Sequence, residues 1–235
     1  MKRFYETVSV EATGGEPPFR INLDARPIKT PARRDLLVPA RPLADAIADE
    51  WRAQEDNVVP AAMPLTRLAS GAIDRVAGRR APVIDEVAAY AETDMLCYRA
   101  DHPAALAKRQ HEIWQPLLDW MEKRHTASFA VTAGVIPVTQ PSAVLDAVKT
   151  AISAHDDMTL SALHAVTHAA GSVILALALI EGRLDATALV AASQLDEQYQ
   201  SEQWGEDAEA AERRAARAKD LSASARFLDL LRAPD

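Results

Sequence analysis

The apolar stretch from Ala169 to Ile180 limits what this chain can fold into more than any other feature of the sequence. Ser172 is the only clearly polar side chain within it. A membrane-spanning helix needs about 20 apolar residues, so this shorter stretch predicts a helix buried on most sides inside a folded protein. Gly182 follows shortly after and predicts a C-terminal cap. The fold should therefore be organised around a deeply buried helix near the C-terminal end.

A second helix is predicted directly after this one, from about Ala186 to Gln203. Asp185 stands where a side chain can cap its N-terminus, and Leu195 and Tyr199 fall on one face. The helix carries the most distinctive motif of the chain, Leu195-Asp-Glu-Gln-Tyr-Gln-Ser-Glu-Gln-Trp-Gly-Glu-Asp207.

Glu202 is the one acid of this motif that the helical spacing sets apart. It lies three residues after Tyr199 and seven after Leu195, which places its carboxylate on or beside the buried face. A buried charge needs a partner, so two roles stay open. Glu202 contacts a binding partner, or it belongs to an internal salt bridge. The other acids of the motif are expected on a solvated helix face.

The composition excludes several functional classes. The chain has 235 residues, 49% of them hydrophobic, which is enough for a substantial core. Its formal net charge of −8 argues against a protein that coats nucleic acid or an anionic membrane, because both recruit basic patches. The single Cys97 cannot form an internal disulfide, which is typical of a reducing compartment. Because residues 1–6 lead into a strand-like pattern without an apolar signal region, we expect a cytoplasmic protein or a mature mitochondrial matrix protein.

The N-terminal residues predict a small antiparallel sheet. Strand-like patterns run from Arg3 to Glu11, from Phe19 to Ile28 and from Leu36 to Val38. A sheet of this size is not stable alone and has to pack against helices.

The helix that follows the sheet is predicted to begin at Pro42, since proline is favoured in the first helical turn. Leu43, Ile47 and Trp51 then share one face. Trp51 is therefore predicted to have a structural role, as an anchor between sheet and helix.

The remainder of the chain is predicted to be mostly helical, after a linker from Asp56 to Pro64. We predict an α+β protein with a small α+β N-terminal domain, residues 1–60, and a larger multihelical C-terminal domain, residues 61–235. The predicted helices of the second domain run from Leu65 to Val76, from Pro82 to about Tyr90, from Pro103 to about Lys123, from a cap at Ser142 to Ile152, and beyond Asp207. Phe129 to Pro137 forms a strand or a buried apolar loop, and both alternatives stay open.

His164 and His168 stand one helical turn apart, as two ligands of a metal ion do. Ala165 occupies the position of the general-base glutamate in the His-Glu-x-x-His motif of zinc proteases, so the base and part of the ligand set are missing. We therefore predict packing or hydrogen-bonding roles for both histidines, with no metal. A metal-dependent hydrolase that uses this pair is the alternative function. Cys97 is predicted to be a small buried side chain, and the glycines form no phosphate-binding loop.

Five segments of the chain resemble one known family. They are Leu23-Asp-Ala-Arg-Pro-Ile-Lys-Thr-Pro31, Glu50-Trp-Arg-Ala-Gln54, Pro64-Leu-Thr66 with Ala72-Ile-Asp74, Thr93-Asp-Met-Leu-Cys-Tyr-Arg99, and the motif from Leu195 to Asp207. They follow the order of the family across nearly the whole chain. The chain therefore resembles the assembly chaperones of the F-type ATP synthase catalytic head that bind the unassembled α subunit. Ala25 is a departure, since the family usually has a glycine in that turn.

The resemblance implies a small α+β N-terminal domain, a helical C-terminal domain, no catalytic activity and no cofactor. It also implies a chaperone that covers the surface of the α subunit that later contacts β, and that gives way as the catalytic head assembles. We expect the protein to be a monomer. The partner-binding residues expected from the resemblance are Glu202, Trp204, Glu206 and Asp207, and the residues expected to be structural are Trp51 and Asp94.

Overall fold

A computed structural model describes residues 1–134 and 136–234. The chain packs into two compact units. The first comprises Met1–Arg80, Asp157–Ala162 and the chain from Ala223 onward, and the second comprises Ala81–Asp156 and Leu163–Ser222. The two domains predicted from the sequence, residues 1–60 and 61–235, remain a prediction.

The first unit is built on an antiparallel sheet. Its strands are β1 (Val8–Ala12), β2 (Phe19–Leu23), β3 (Arg26–Pro27) and β4 (Leu37–Val38). β2 pairs with β1 along one edge, and its other edge pairs with β3 and β4. Ile21 and Leu23 are buried, whereas Asn22 between them is only partly buried. The alternation predicted for this strand is confirmed, as is the α+β order of a small sheet followed by helices.

Helix α1 (Arg41–Arg52) contacts the sheet through β1 and β2. Pro42 lies in its first turn, as predicted. Leu43 and Ile47 are fully buried, but Trp51 on the same face is only partly buried. The predicted inward face of α1 is therefore confirmed in its first two turns and opens toward solvent in its last.

The segment predicted to be a linker, from Asp56 to Pro64, is fastened to the first unit. The Val58 N–H donates to the Met1 carbonyl at 2.7 Å, and the Val59 N–H donates to Oε1 of Gln54 at 2.7 Å. These two contacts hold the segment against other residues of the first unit, to which it belongs.

Helices dominate the chain beyond α1. They are α2 (Pro64–Gly71), α3 (Arg80–Ala89), α4 (Ala104–His125), α5 (Ser142–Ser153), α6 (Asp157–Ala170), α7 (Val173–Ile180), α8 (Ala186–Ser193), α9 (Leu195–Trp204) and α10 (Ala208–Arg232). A wider turn, Ala72–Val76, continues α2, and a short 3-10 turn, Tyr90–Glu92, follows α3. Within the described part of the chain, none of these helices is long and apolar enough to cross a membrane.

The apolar stretch is buried as predicted, but it is not one helix. Every residue of α7 is buried. Gly171 adopts a left-handed conformation, with φ 68°, and ends α6. Ser172 then starts α7, because its Oγ accepts a hydrogen bond from the Leu175 N–H at 3.1 Å. The prediction of a continuous helix from Ala169 to Ile180 is therefore wrong.

Two further predictions for the second unit are resolved by the backbone. Ser142 is the first residue of α5 and does not cap it, since the flanking position is Pro141 and makes no side-chain cap. Part of the segment Phe129–Pro137 is a strand, β6 (Thr132–Ala133), which pairs in parallel with β5 (Tyr98–Arg99). Val135 of this segment lies outside the described residues.

The core of the second unit lies where α4 contacts α7 and α9. Trp114 of α4 is 1% exposed, and its indole N–H donates to the Ala192 carbonyl at 2.9 Å. Cys97 is fully buried, as predicted, and burial raises the pKa of its thiol to about 12. Such a thiol stays protonated near neutral pH and is a poor nucleophile.

Candidate partner-binding surface

The distinctive motif forms α9 and the three residues after it. Asp185 caps α8 through its side chain, as predicted. The single helix predicted from residue 186 to 203 is wrong, however, because Gln194 leaves the helical conformation and separates α8 from α9. Gln194 is buried. Leu195 and Tyr199 form the buried face of α9, as predicted.

Glu202 is held by Arg109 of α4. One guanidinium nitrogen, Nη1, lies 3.0 Å from Oε1, and the other, Nη2, lies 2.9 Å from Oε2. The guanidinium also lies over the ring of Tyr199, at 5.3 Å from its centroid. The hydrogen bond and the charge of Arg109 hold the pKa of Glu202 below its ordinary value. Of the two positions predicted for Glu202, on or beside the buried face, the structure shows the second, since its side chain is 39% exposed and its partner Arg109 lies over Tyr199.

A buried polar chain connects the start of α9 with β5. Oδ1 of Asp196 accepts a hydrogen bond from the side-chain amide of Gln110 at 2.8 Å, and Gln110 is 1% exposed. The backbone carbonyl of Gln110 accepts from Nη1 of Arg99 at 2.7 Å. Burial raises the pKa of Asp196 and lowers the pKa of Arg99. Gln110 therefore joins the motif that ends at Arg99 to the motif that begins at Leu195, although it belongs to neither of them.

The C-terminal end of α9 presents an aromatic side chain to solvent. Trp204 is the last residue of the helix and is 78% exposed. Gly205 ends the helix with φ 89°, a conformation that favours glycine. Glu206 pairs with Arg214 of α10, and Oδ1 of Asp207 accepts from the Ala210 N–H at 2.8 Å, which caps α10. Trp204 is therefore held between two defined helix ends.

Asp94 is buried at the start of α7, within the second unit. It is fully buried, and the Ser172 hydroxyl donates to it at 2.8 Å. The N–H groups of Leu96 and Ile174 each donate to it at 3.1 Å. Burial raises the pKa of Asp94 to about 6, against the opposing effect of these hydrogen bonds. These contacts fix the turn before β5 to the N-terminus of α7.

His164 and His168 meet a carboxylate that the sequence pattern did not reveal. Oε1 of Glu86, on α3, lies 3.2 Å from Nε2 of His164 and 3.0 Å from Nε2 of His168. The two imidazole centroids are 4.2 Å apart. The predicted hydrogen-bonding role of the pair is confirmed.

Trp51 borders a cleft in the first unit rather than filling a closed core. The cleft has a volume of about 560 Å³, and its walls include Val58, Met63 and Trp51. The Trp51 ring meets Tyr5 edge-on at 5.7 Å between centroids. Its indole nitrogen is buried without a hydrogen-bond partner in the described chain. The structural role of Trp51 stays a prediction.

A sequence profile of one family, described as ATP12 chaperone protein, matches residues 2–122. The match covers more than half of the 235-residue chain. The chain belongs to the ATP12 chaperone family. The family resemblance seen in the sequence is confirmed.

The chain is similar to one curated protein and to solved structures over most of its length. Protein atp12, mitochondrial, of Schizosaccharomyces pombe is 26% identical over 216 residues, which cover 87% of this chain and 74% of the relative. The crystal structure of Atp12 from Paracoccus denitrificans is 41% identical, covers 98% of both chains and superposes with a TM-score of 0.90. The protein Atu1473 of Agrobacterium tumefaciens is also 41% identical, with a TM-score of 0.92 over 98% of this chain and 86% of that one.

Several residues of the ATP12-like motifs support the fold of the first unit. Glu50 accepts hydrogen bonds from the N–H groups of Leu65 at 2.7 Å and Thr66 at 2.8 Å, so its carboxylate caps α2. Asp74 accepts from the Thr30 hydroxyl at 2.7 Å and the Ala32 N–H at 2.9 Å. These carboxylates tie segments that are distant in sequence to one another.

The chain departs from the ATP12 family at Ala25, in the turn after β2. The residue with positive φ in this turn is the neighbouring Asp24. Asp24 takes the left-handed position, with φ 54°, and its Oδ1 accepts from the Thr7 N–H at 2.9 Å. Ala25 is not among the described residues with positive φ. An alanine therefore fits this turn without backbone strain.

The structure brings the predicted partner-binding residues of the ATP12-like motif together along α9 and the turn after it. Sequence reasoning missed the side chains that pair with the acids of this motif. Arg109 and Arg214 hold the predicted residues Glu202 and Glu206, and Gln110 and Arg217 hold Asp196 and Glu197. None of these pairing side chains belongs to a recognisable motif. The only signal was chemical, since a helix with several acids predicts basic partners elsewhere in the chain.

Proposed function

We propose that this protein is a chaperone for assembly of the F-type ATP synthase catalytic head, and that it binds the unassembled α subunit until β replaces it. Membership of the ATP12 chaperone family supports the chaperone role. The identity of the partner rests on the resemblance of the motifs, above all the motif that forms α9.

Trp204 is the observation on which the location of the binding surface depends. Trp204 is 78% exposed at the end of a defined helix, so burial of its side chain contributes little to the stability of the fold. Exposed tryptophans are, however, strongly enriched among residues that dominate binding energy in protein interfaces. We therefore place the centre of the α-subunit contact on Trp204.

The charges around Trp204 support a contact of moderate strength. Glu197, Glu202 and Glu206 are each paired with an arginine of the same chain. Paired side chains are already ordered before binding, which lowers the entropic cost of forming the interface. They also contribute little net attraction, which suits a chaperone whose contact must be weaker than the final contact between α and β.

The proposal includes no catalytic activity and no cofactor. A cytoplasmic location, or the mitochondrial matrix for a eukaryotic chain, belongs to the same proposal, as does the monomeric state. The name of the relative from Schizosaccharomyces pombe, Protein atp12, mitochondrial, gives a mitochondrial location for that relative.

Co-expression with the isolated α subunit tests the proposal. The fraction of α found in the soluble extract should rise when this chain is present, and α should be captured with it on an affinity tag. Isolated β expressed in the same way should be neither solubilised nor captured. Failure to capture α, or equal capture of α and β, would contradict the proposed partner.

Two variants test the location of the surface. Trp204→Ala should lower the captured α by about tenfold, the loss expected for a tryptophan that dominates an interface, without changing the melting temperature. Phe4→Ala is the matched control, because Phe4 is also an exposed aromatic side chain, at 61%, and belongs to the first unit. Equal capture by the wild type and Trp204→Ala would move the binding surface away from α9.

A further inference from the structure

Three side chains on two helices point their ligand atoms at one another. His164 and His168 lie one turn apart on α6, and Glu86 lies on α3. Both Nε2 atoms lie within 3.2 Å of the same carboxylate oxygen, and the ligand atoms of all three residues lie within 4.8 Å of one another. Histidine nitrogen and carboxylate oxygen are the donor types that Zn²⁺ takes in sites with three protein ligands.

The spacing of these atoms is close to that of ligands around a single ion. Bonds of about 2.1 Å in a tetrahedral arrangement put neighbouring ligand atoms roughly 3.4 Å apart. The two separations between histidine nitrogen and carboxylate oxygen, 3.2 and 3.0 Å, need to widen by only a few tenths of an ångström for an ion to enter, and the remaining pair of ligand atoms lies within 4.8 Å. Adjustments of this size lie within the rotational freedom of a carboxylate on a half-exposed side chain.

A fourth residue holds one of the histidines in the orientation that a ligand requires. The Tyr90 hydroxyl lies 2.9 Å from Nδ1 of His168, and the two rings meet edge-on at 5.1 Å between centroids. When Nε2 binds a metal, Nδ1 carries the proton and donates it to an acceptor, which the Tyr90 oxygen provides. This is the outer contact that metal-binding histidines commonly have.

The cluster is closed on one side and open on the other. His164 is only 7% exposed in its side chain, whereas His168 is 40% and Glu86 is 50% exposed. An ion can therefore reach the site from solvent and complete its coordination with water. The buried histidine supplies a rigid ligand, and the carboxylate supplies the charge that neutralises part of the ion.

We propose that Glu86, His164 and His168 form a binding site for one Zn²⁺ ion, which links α3 to α6. The donor set of two imidazoles and one carboxylate favours Zn²⁺ over Mg²⁺ and Ca²⁺, because those ions prefer oxygen ligands alone. Ala165 stands where a zinc protease has its general-base glutamate, so the proposal assigns no protease chemistry to the ion. The site is independent of the proposed binding of the α subunit.

Calorimetric titration of the chelator-treated chain with ZnCl₂ tests this site. The wild type should bind one Zn²⁺ per chain and bind Mg²⁺ far more weakly. Because an ion that binds only the folded state stabilises it, a hundredfold excess of Zn²⁺ over the dissociation constant should raise Tm by about 5 °C. Absence of saturable binding would overturn the proposal.

Variants of the half-exposed ligands keep the test independent of folding defects. Glu86→Gln and His168→Gln should each weaken Zn²⁺ binding by about tenfold or more and abolish the rise in Tm, while circular dichroism without metal stays unchanged. Tyr90→Phe should weaken binding to a smaller extent. His111→Gln removes an exposed histidine of α4 and should bind as the wild type does.

A competing location is tested in the same series. The competing pair is His125, at the end of α4, and Glu181, directly after α7. Nε2 of His125 lies 2.8 Å from Oε1 of Glu181. If His125→Gln removes the binding while Glu86→Gln and His168→Gln retain it, the proposed site is wrong. Wild-type affinity for Zn²⁺ in both Glu86→Gln and His168→Gln would also overturn the proposed site.

Discussion

Arg109 and Glu202 form a two-point salt bridge in which each guanidinium Nη atom meets one carboxylate oxygen, at 3.0 and 2.9 Å. The bridge joins α4 to α9, and Arg109 lies 93 residues before Glu202 in the chain. The sequence left two roles open for Glu202, a partner contact and an internal ion pair. The ion pair exists, and its half-exposed position leaves one side of the carboxylate accessible to a partner.

Matched variants of the two residues separate these roles. Glu202→Gln and Arg109→Gln both break the ion pair, so both should change Tm by at most about 4 °C, as expected for an exposed pair. The proposed contact of Glu202 with the α subunit predicts that Glu202→Gln weakens capture of α more than Arg109→Gln does. Circular dichroism melts and the capture assay measure the two effects. Equal loss of capture in both variants would show that Glu202 acts only through the salt bridge.

The parts of the fold that were predictable are those that local periodicity controls. The alternation of β2, the inward face of α1 around Ile47 and the burial of α7 all follow from the spacing of apolar side chains. The cap at Asp185 was predictable for a similar reason, since capping depends on residues next to one another.

The parts that were missed depend on contacts between distant residues. The helix break at Gly171 is an exception, because it depends on a left-handed glycine and on the cap by Ser172 next to it, which the apolar side chains on both sides concealed. Glu86 stands about 80 residues from the histidines it meets. Nothing in its own neighbourhood distinguishes it from the other acids of the chain. The sequence therefore showed the two histidines of the proposed site but not its carboxylate, and it predicted no metal there.

Trp51 is expected to stabilise the first unit through its ring and not through its indole N–H. Trp51→Phe should change the free energy of unfolding by less than about 1 kcal/mol, because the N–H that it removes has no partner in the described chain. Trp51→Ala should cost about 2 kcal/mol, through loss of the contact with Tyr5. Trp51→Arg should cost about 3 kcal/mol or more, since it also places a charge beside an apolar cleft. Urea denaturation measures all three, and wild-type stability of Trp51→Ala would remove the structural role.

Asp94 should give the chain a measurable dependence of stability on pH. Its pKa is raised from 3.8 to about 6 by burial, so between these values the folded chain holds a proton that the unfolded chain has lost. The contribution of Asp94 to stability is therefore fully present below pH 4 and falls as the pH rises through 6. At about 1.4 kcal/mol for each pKa unit, the loss amounts to about 3 kcal/mol.

Asp94→Asn isolates this contribution, because the amide does not titrate. The difference in the free energy of unfolding, wild type minus variant, should fall by about 2.5 kcal/mol between pH 4 and pH 7, because a small part of the total loss has already occurred at pH 4. Urea denaturation across this range measures the difference, in which the titration of all other groups cancels. The variant should also be less stable at pH 4, since its amide nitrogen cannot accept the hydrogen bond from the Ile174 N–H. A difference that does not vary with pH would show that Asp94 is ionised throughout this range.

The exchange of partners tests the account most directly. The purified complex of this chain with the α subunit is analysed by size-exclusion chromatography with light scattering, before and after addition of purified β. We predict a one-to-one complex with α that releases this chain when β is added, because the contact between α and β is the stronger one. Trp204→Ala should form little of the complex at the same concentrations. Absence of a complex with α, or a complex that retains this chain after β has bound, would contradict the account.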